Sequence, residues 1–69
     1  MYDESLVALK YLAGAKPKSK FAIALGIGAN QAVMEKVIDK LTDLGYIGLA
    51  DINRYAITRD GIEKLKSNL

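Results

Sequence analysis

The chain of 69 residues contains no cysteine and no histidine. Without cysteine, neither a disulfide nor a zinc–thiolate staple can form. The two absences together remove the commonest general base, the thiolate nucleophile and the usual transition-metal ligands. An enzyme is therefore not expected, and neither is a metal or a cofactor. Carboxylates remain, but Asp39 and Asp43 fall on the outer face of a predicted helix rather than in a cleft. Gly26-Ile27-Gly28 is no phosphate loop, because it follows a helical segment and lacks the Gly-Lys-Ser/Thr ending. No apolar run approaches the ~20 residues that span a bilayer. No basic segment leads into an apolar stretch at the N-terminus, as a secretory signal would require. These features fit a cytoplasmic protein with no membrane partner. Proline occurs once, as Pro17, so only one segment is barred from helix by composition.

What is present suffices for a core. Apolar residues make up 51% of the chain, which argues against disorder. The length predicts a single domain over 1–69. A chain this short buries only roughly 60% of its unfolded surface, so it depends on tight packing or on a partner. No small-molecule ligand is expected at this size. The net charge is +2, and its placement says more than its size. Lys16, Lys18 and Lys20 crowd into five residues, whereas the segments on either side carry a small negative balance.

Periodicity and capping residues divide the chain. A first helix is expected from about Asp3 to Ala13, with Asp3 as its cap and Leu6, Leu9, Leu12 and Ala13 as its buried stripe. Gly14 is expected to stop it in a left-handed conformation. Ser19 caps a second helix over about Lys20–Leu25, with Phe21, Ala22 and Leu25 inward. Gly26 to Ala29 read as a turn, and Asn30 as the cap of a third helix from about Gln31 to Leu44. Met34, Val37, Ile38, Leu41 and Leu44 share one sector of that helix, with Val33 at its edge. Gly45 ends it. Two strands follow, 46–49 and 55–57, with Ile47 and Leu49 on one face and Tyr55 and Ile57 on one face. Their close connection predicts an antiparallel hairpin. Thr58 caps a last helix over about Arg59–Ser67, with Ile62 and Leu65 inward.

Three motifs then carry a resemblance. Phe21-Ala22-x-x-Leu25-Gly26-Ile27 resembles the opening of a helix-turn-helix in winged-helix regulators. Leu41-x-x-Leu44-Gly45-Tyr46-Ile47 resembles the end of their recognition helix. Tyr55-Ala56-Ile57-Thr58-x-x-Gly61-x-x-x-Leu65 resembles the hairpin-to-helix junction of MarR-like, PadR-like and archaeal winged-helix proteins. Together they cover most of residues 19–69. One departure is the segment from Ile27 to the first core residue of the third helix, about two residues longer than usual. The resemblance implies an α+β, mainly α fold: a three-helix core, a short two-stranded wing and a C-terminal helix. It also implies a small DNA-binding protein and transcriptional regulator, with the third helix in a major groove of duplex DNA.

The residue chemistry supports part of that implication and resists part. Asn30 and Gln31 lie at the start of the third helix, where amides can make paired hydrogen bonds to adenine. Each also has a plainer reading, Asn30 as a cap and Gln31 as a solvated helix former. Lys16, Lys18 and Lys20 precede the second helix, where backbone phosphates and free N–H groups commonly meet. The outer face of the third helix collects Ala32, Glu35, Lys36, Asp39 and Asp43, net −2. Glu35 can accept from cytosine, but acids on this face oppose phosphate. Arg54 in the wing is a candidate for a minor-groove or phosphate contact, and Arg59 beyond the hairpin a weaker one. The tyrosines read as packing residues rather than stacking platforms. The alternative function is a winged-helix protein–protein module without DNA binding. A homodimer or a protein partner is also open, with Tyr2, Val7 and Leu69 as dimer candidates.

Overall fold

Four helices and one antiparallel sheet make up residues 4–67, which the computed structural model describes. In chain order they are α1 (Glu4–Ala13), α2 (Lys20–Ile27), α3 (Gln31–Asp43), β1 (Ile47–Leu49), β2 (Tyr55–Ile57) and α4 (Arg59–Ser67). The three N-terminal helices enclose Ala8, Leu9, Leu12, Ile23, Ala24, Met34, Ile38 and Leu41, and β1 closes the core with Ile47. The radius of gyration, 10.7 Å, is close to the ~11 Å expected of a compact chain of this length. The architecture is mainly helical with a hairpin, as expected.

In α1, Ala8, Leu9 and Leu12 are buried, while Ala13 is exposed and Leu6 half-buried. The stripe is thus set by Ala8 rather than by Ala13. Asp3, expected as the cap, lies outside the described residues. Gly14 has no left-handed φ; the helix instead ends in a turn from the Ala15 N–H to the Leu12 carbonyl, 3.2 Å. The chain then extends through Lys16 and Pro17 to Lys18, which pairs antiparallel with Tyr55 of β2. Lys18 N donates to Tyr55 O at 2.9 Å and Tyr55 N to Lys18 O at 2.7 Å. Pro17 contributes no donor, so it suits this short edge segment.

Ser19 caps α2 as expected, its hydroxyl oxygen accepting from Ala22 N at 3.2 Å. The helix nevertheless runs two residues past the expected end. Gly28, with φ +79°, is the stop rather than Gly26. Ala29 N donates to Ala24 O at 3.0 Å and Gly28 N to Leu25 O at 3.2 Å, the paired bonds of a left-handed helix stop. The longer helix turns Ile23, Ala24 and Ile27 to the core. Phe21 and Leu25 are therefore turned out, 58% and 71% exposed, against the expectation that they point inward. Gly28-Ala29-Asn30 is a three-residue turn, and the axes of α2 and α3 bend by 117° across it.

Asn30 caps α3 and Gly45, φ +80°, ends it with the same pair of bonds, Tyr46 N to Leu41 O and Gly45 N to Thr42 O, both 3.0 Å. Leu44 sits at this cap, beyond the last helical residue, and is 51% exposed instead of joining the core. Val33 is exposed at the opposite end. In the hairpin, Ile47 pairs with Ile57 and Leu49 with Tyr55. Ile47 is buried, but Leu49, on the same face, is 61% exposed.

Thr58 joins hairpin to α4 by three bonds. Its N–H donates to Tyr46 O (3.0 Å), its hydroxyl donates to Gly45 O (2.6 Å), and the hydroxyl oxygen accepts from Gly61 N (3.1 Å). Gly61 is buried against the Tyr46 carbonyl, where no Cβ fits. Since the glycine makes the contact, α4 presents Gly61 and Leu65 inward, and Ile62 is 40% exposed against expectation. No single helix among the described residues is long and apolar enough to cross a membrane.

Candidate nucleic-acid interface

The start of α3 is exposed and polar. Asn30 Oδ1 accepts from Ala32 N at 2.8 Å and Val33 N at 3.3 Å, so its oxygen is committed to the cap. Its amide N–H groups make no hydrogen bond among the described residues. A bidentate contact to adenine needs the oxygen as well, so Asn30 retains only donor capacity. Gln31 is exposed and unengaged, with both halves of its amide available. Ala32, Glu35, Lys36, Asp39 and Asp43 form an exposed face behind it, as the helical wheel requires.

Lys20, the first residue of α2, ties three elements together. Its Nζ donates to Asp39 Oδ1 of α3 at 2.9 Å and lies 5.9 Å from the ring centroid of Tyr55 in β2. The hydrogen bond to the Asp39 carboxylate holds the Lys20 ammonium above the usual lysine range, with Tyr55 and Glu35 adding smaller attractions. Two sequence expectations change as a result. Asp39 is not an uncompensated acid on the outer face. Lys20 is not a free cation awaiting a phosphate, because it must leave Asp39 to reach one. Spacing along the chain carries no trace of a pair 19 residues apart.

Lys16 and Lys18 lie beside this pair in the extended segment, and neither makes an ion pair among the described residues. The bridge to Tyr55 fixes the Lys18 backbone on the hairpin, so the basic segment and the hairpin belong to one surface. The bridge was not foreseen from sequence; the extended Lys-Pro-Lys run between two capped helices was its one signal. Arg54 stands at the base of the hairpin turn, which Ala50 N closes onto Arg54 O at 2.8 Å. Its Nη1 lies 3.8 Å from Asp51 Oδ2, a loose and exposed pair. Arg59 lies at the far end of β2 from Arg54 and pairs with Glu63 along α4, 3.9 Å. The structure thus gathers Lys16, Lys18 and Lys20 with the hairpin, and Asn30, Gln31, Glu35 and Lys36 along α3, and sets Arg59 apart.

The surface of the described residues includes the following depressions. One, about 460 Å³, lies between the start of α2 and the hairpin and is lined by Ser19, Lys20, Phe21, Asn53 and Tyr55. Another, about 260 Å³, runs between α1, the end of α3 and α4, with Leu6, Leu9, Leu41 and Leu44 among its lining. Both are open, and neither was expected from sequence. Among the dimer candidates, Val7 is half-buried in α1, while Tyr2 and Leu69 lie outside the described residues. No group of three metal-ligating side chains occurs among the described residues. Compared with known proteins, the chain matches no family model and no curated relative.

Proposed function

We propose that the chain is a winged helix-turn-helix that binds duplex DNA and regulates transcription. The observation that carries this reading is the α2–turn–α3 unit. A three-residue glycine turn and a 117° bend are what a DNA-binding helix-turn-helix uses to hold its second helix clear of the body. The antiparallel pairing of Lys18 with β2 adds support, because it places a strand-like segment between the first two helices and beside the wing.

On this reading the first two turns of α3 enter the major groove. Gln31 reads a base edge with its full amide, Asn30 donates from its free N–H groups, and Glu35 faces a cytosine amino group. Lys16, Lys18 and Lys36 meet phosphates, which fix register without reading sequence. Arg54 reaches the backbone or minor groove beside the wing. Asp43 keeps the C-terminal half of α3 away from the phosphates. A single module of this size covers little DNA, so binding is weak or dimeric.

The test is an amide shift titration with duplex DNA at two salt concentrations. The reading requires shifts at residues 16–20, 30–36 and 54 that shrink as salt rises. No binding at low salt refutes it. A protein–protein module is the second reading, and the exposed pair Phe21 and Leu25 on α2 favours it. That reading requires a partner whose affinity depends on these two side chains and barely on salt.

A further inference from the structure

The depression between α2 and the wing differs in chemistry from the rest of the surface. Phe21, the chain's one phenylalanine, stands 58% exposed on one side, and Tyr55 lines the other. Burial of a phenylalanine side chain stabilises a fold, and its exposure here forgoes much of that gain. Asn53 contributes an exposed amide with no side-chain hydrogen bond among the described residues, and Ser19 a hydroxyl whose proton is not used by its cap. Lys20 also lines the depression, but its Nζ is held by Asp39 Oδ1 at 2.9 Å and lies 5.9 Å from the Tyr55 ring centroid, so its charge is compensated. The depression thus brings together an exposed phenylalanine ring, a tyrosine ring and an amide with both donor and acceptor. The volume, about 460 Å³, falls in the range of small-ligand sites.

We infer that this depression is a stacking site for one unpaired nucleobase, formed by Phe21 and Tyr55, with Asn53 on the base edge. The inference rests on the duplex-binding reading, because the site adjoins α3 and the wing. It adds that a base out of the helix, not only the groove, is recognised. A paired base lies inside the stack and cannot enter, so the occupant is bulged, mismatched or flipped out. An apolar side chain from a protein would cover the rings but leave the Asn53 amide unpaired, and this disfavours a protein occupant.

The experiment compares two probes in one buffer: a fully paired 12-base-pair duplex and the same duplex with a single bulged adenine. Aromatic stacking carries roughly 1–3 kcal/mol per base, so the bulged probe should bind roughly five- to 150-fold more tightly. Phe21→Ala should abolish the preference, and Phe21→Tyr should keep it. Phe21 is exposed, so both variants should fold. Leu25→Ala alters the same helix face outside the depression and should leave the preference unchanged. Equal affinity for the two probes overturns the stacking site while leaving duplex binding intact. Equal losses from Phe21→Ala and Leu25→Ala also overturn it, in favour of a general apolar surface. Binding of the bulged probe alone supports the site and overturns the paired-duplex reading. Binding of neither overturns both.

Discussion

Replacing Asp39 with asparagine should weaken the fold and strengthen DNA binding. In the native chain Lys20 Nζ donates to Asp39 Oδ1 at 2.9 Å, with the two side chains 31% and 63% exposed. An exposed pair of this kind contributes about 0.2–1 kcal/mol. For a domain of this size, 1 kcal/mol moves the midpoint by about 4–8 °C, so Asp39→Asn should melt about 1–8 °C lower at neutral pH. The ammonium is held above the ordinary lysine value of 10.5, so the pair's contribution is present in full below that pH. It is lost as pH rises through the folded-state value, and the two proteins should converge there. Binding moves the opposite way. Each phosphate neutralised steepens the dependence of log K on log salt by about 0.9. If the variant frees Lys20 for one phosphate, affinity should rise about eightfold at 0.1 M salt and only about twofold at 0.4 M. Fluorescence anisotropy with a labelled duplex across that salt range reads both quantities, and thermal denaturation by circular dichroism reads the first. A variant that melts lower but keeps the native salt slope would refute the claim that Asp39 withholds Lys20 from phosphate.

Other consequences follow from single contacts. Gly61→Ala places a methyl group 2.7 Å from Ile57 Cγ1 and closer still to the Tyr46 carbonyl, so overpacking should cost about 1–3 kcal/mol. Gly48→Ala meets only Thr58 Cγ2 at 3.8 Å and should cost under about 1 kcal/mol, so equal melting of the two variants would sink this account. Asn30→Ala removes the α3 cap and should cost about 0.5–2 kcal/mol by chemical denaturation. Gln31→Ala should leave stability within about 0.5 kcal/mol while reducing discrimination among duplex sequences by about 1–3 kcal/mol, measured by competition binding. Lys16→Ala combined with Lys18→Ala should weaken all duplexes alike and flatten the salt slope.

The order of elements was legible because it is written in local signals. Ser19, Asn30 and Thr58 cap the helices they were expected to cap, and Gly45 ends α3, since capping depends on neighbours three or four residues away. The orientation of α2 was not legible. Phe21, Ala22 and Leu25 fit a helical stripe as well as Ile23, Ala24 and Ile27 do, and only the position of the stop chooses between them. Gly26 and Gly28 both qualify as stops by type, and the left-handed φ falls at Gly28. At the candidate site, the exposure of Gln31 and Lys36 followed from helical period. The Lys20–Asp39 pair and the Lys18–Tyr55 bridge join residues far apart in sequence, so no local pattern encodes them.

The Lys18–Tyr55 bridge has a further consequence, for solubility. It gives Tyr55 of β2 a neighbour on both sides, β1 on one and Lys18 on the other, in a sheet that otherwise has two strands. Sheet edges are where foreign strands add and aggregates begin. Here that edge is a single rung, bounded by a proline that offers no N–H and by two lysines that repel a like surface. The two lysines offered above as phosphate contacts thus also guard a sheet edge together with Pro17, so replacing Pro17 and both lysines should raise aggregation even where no DNA is present.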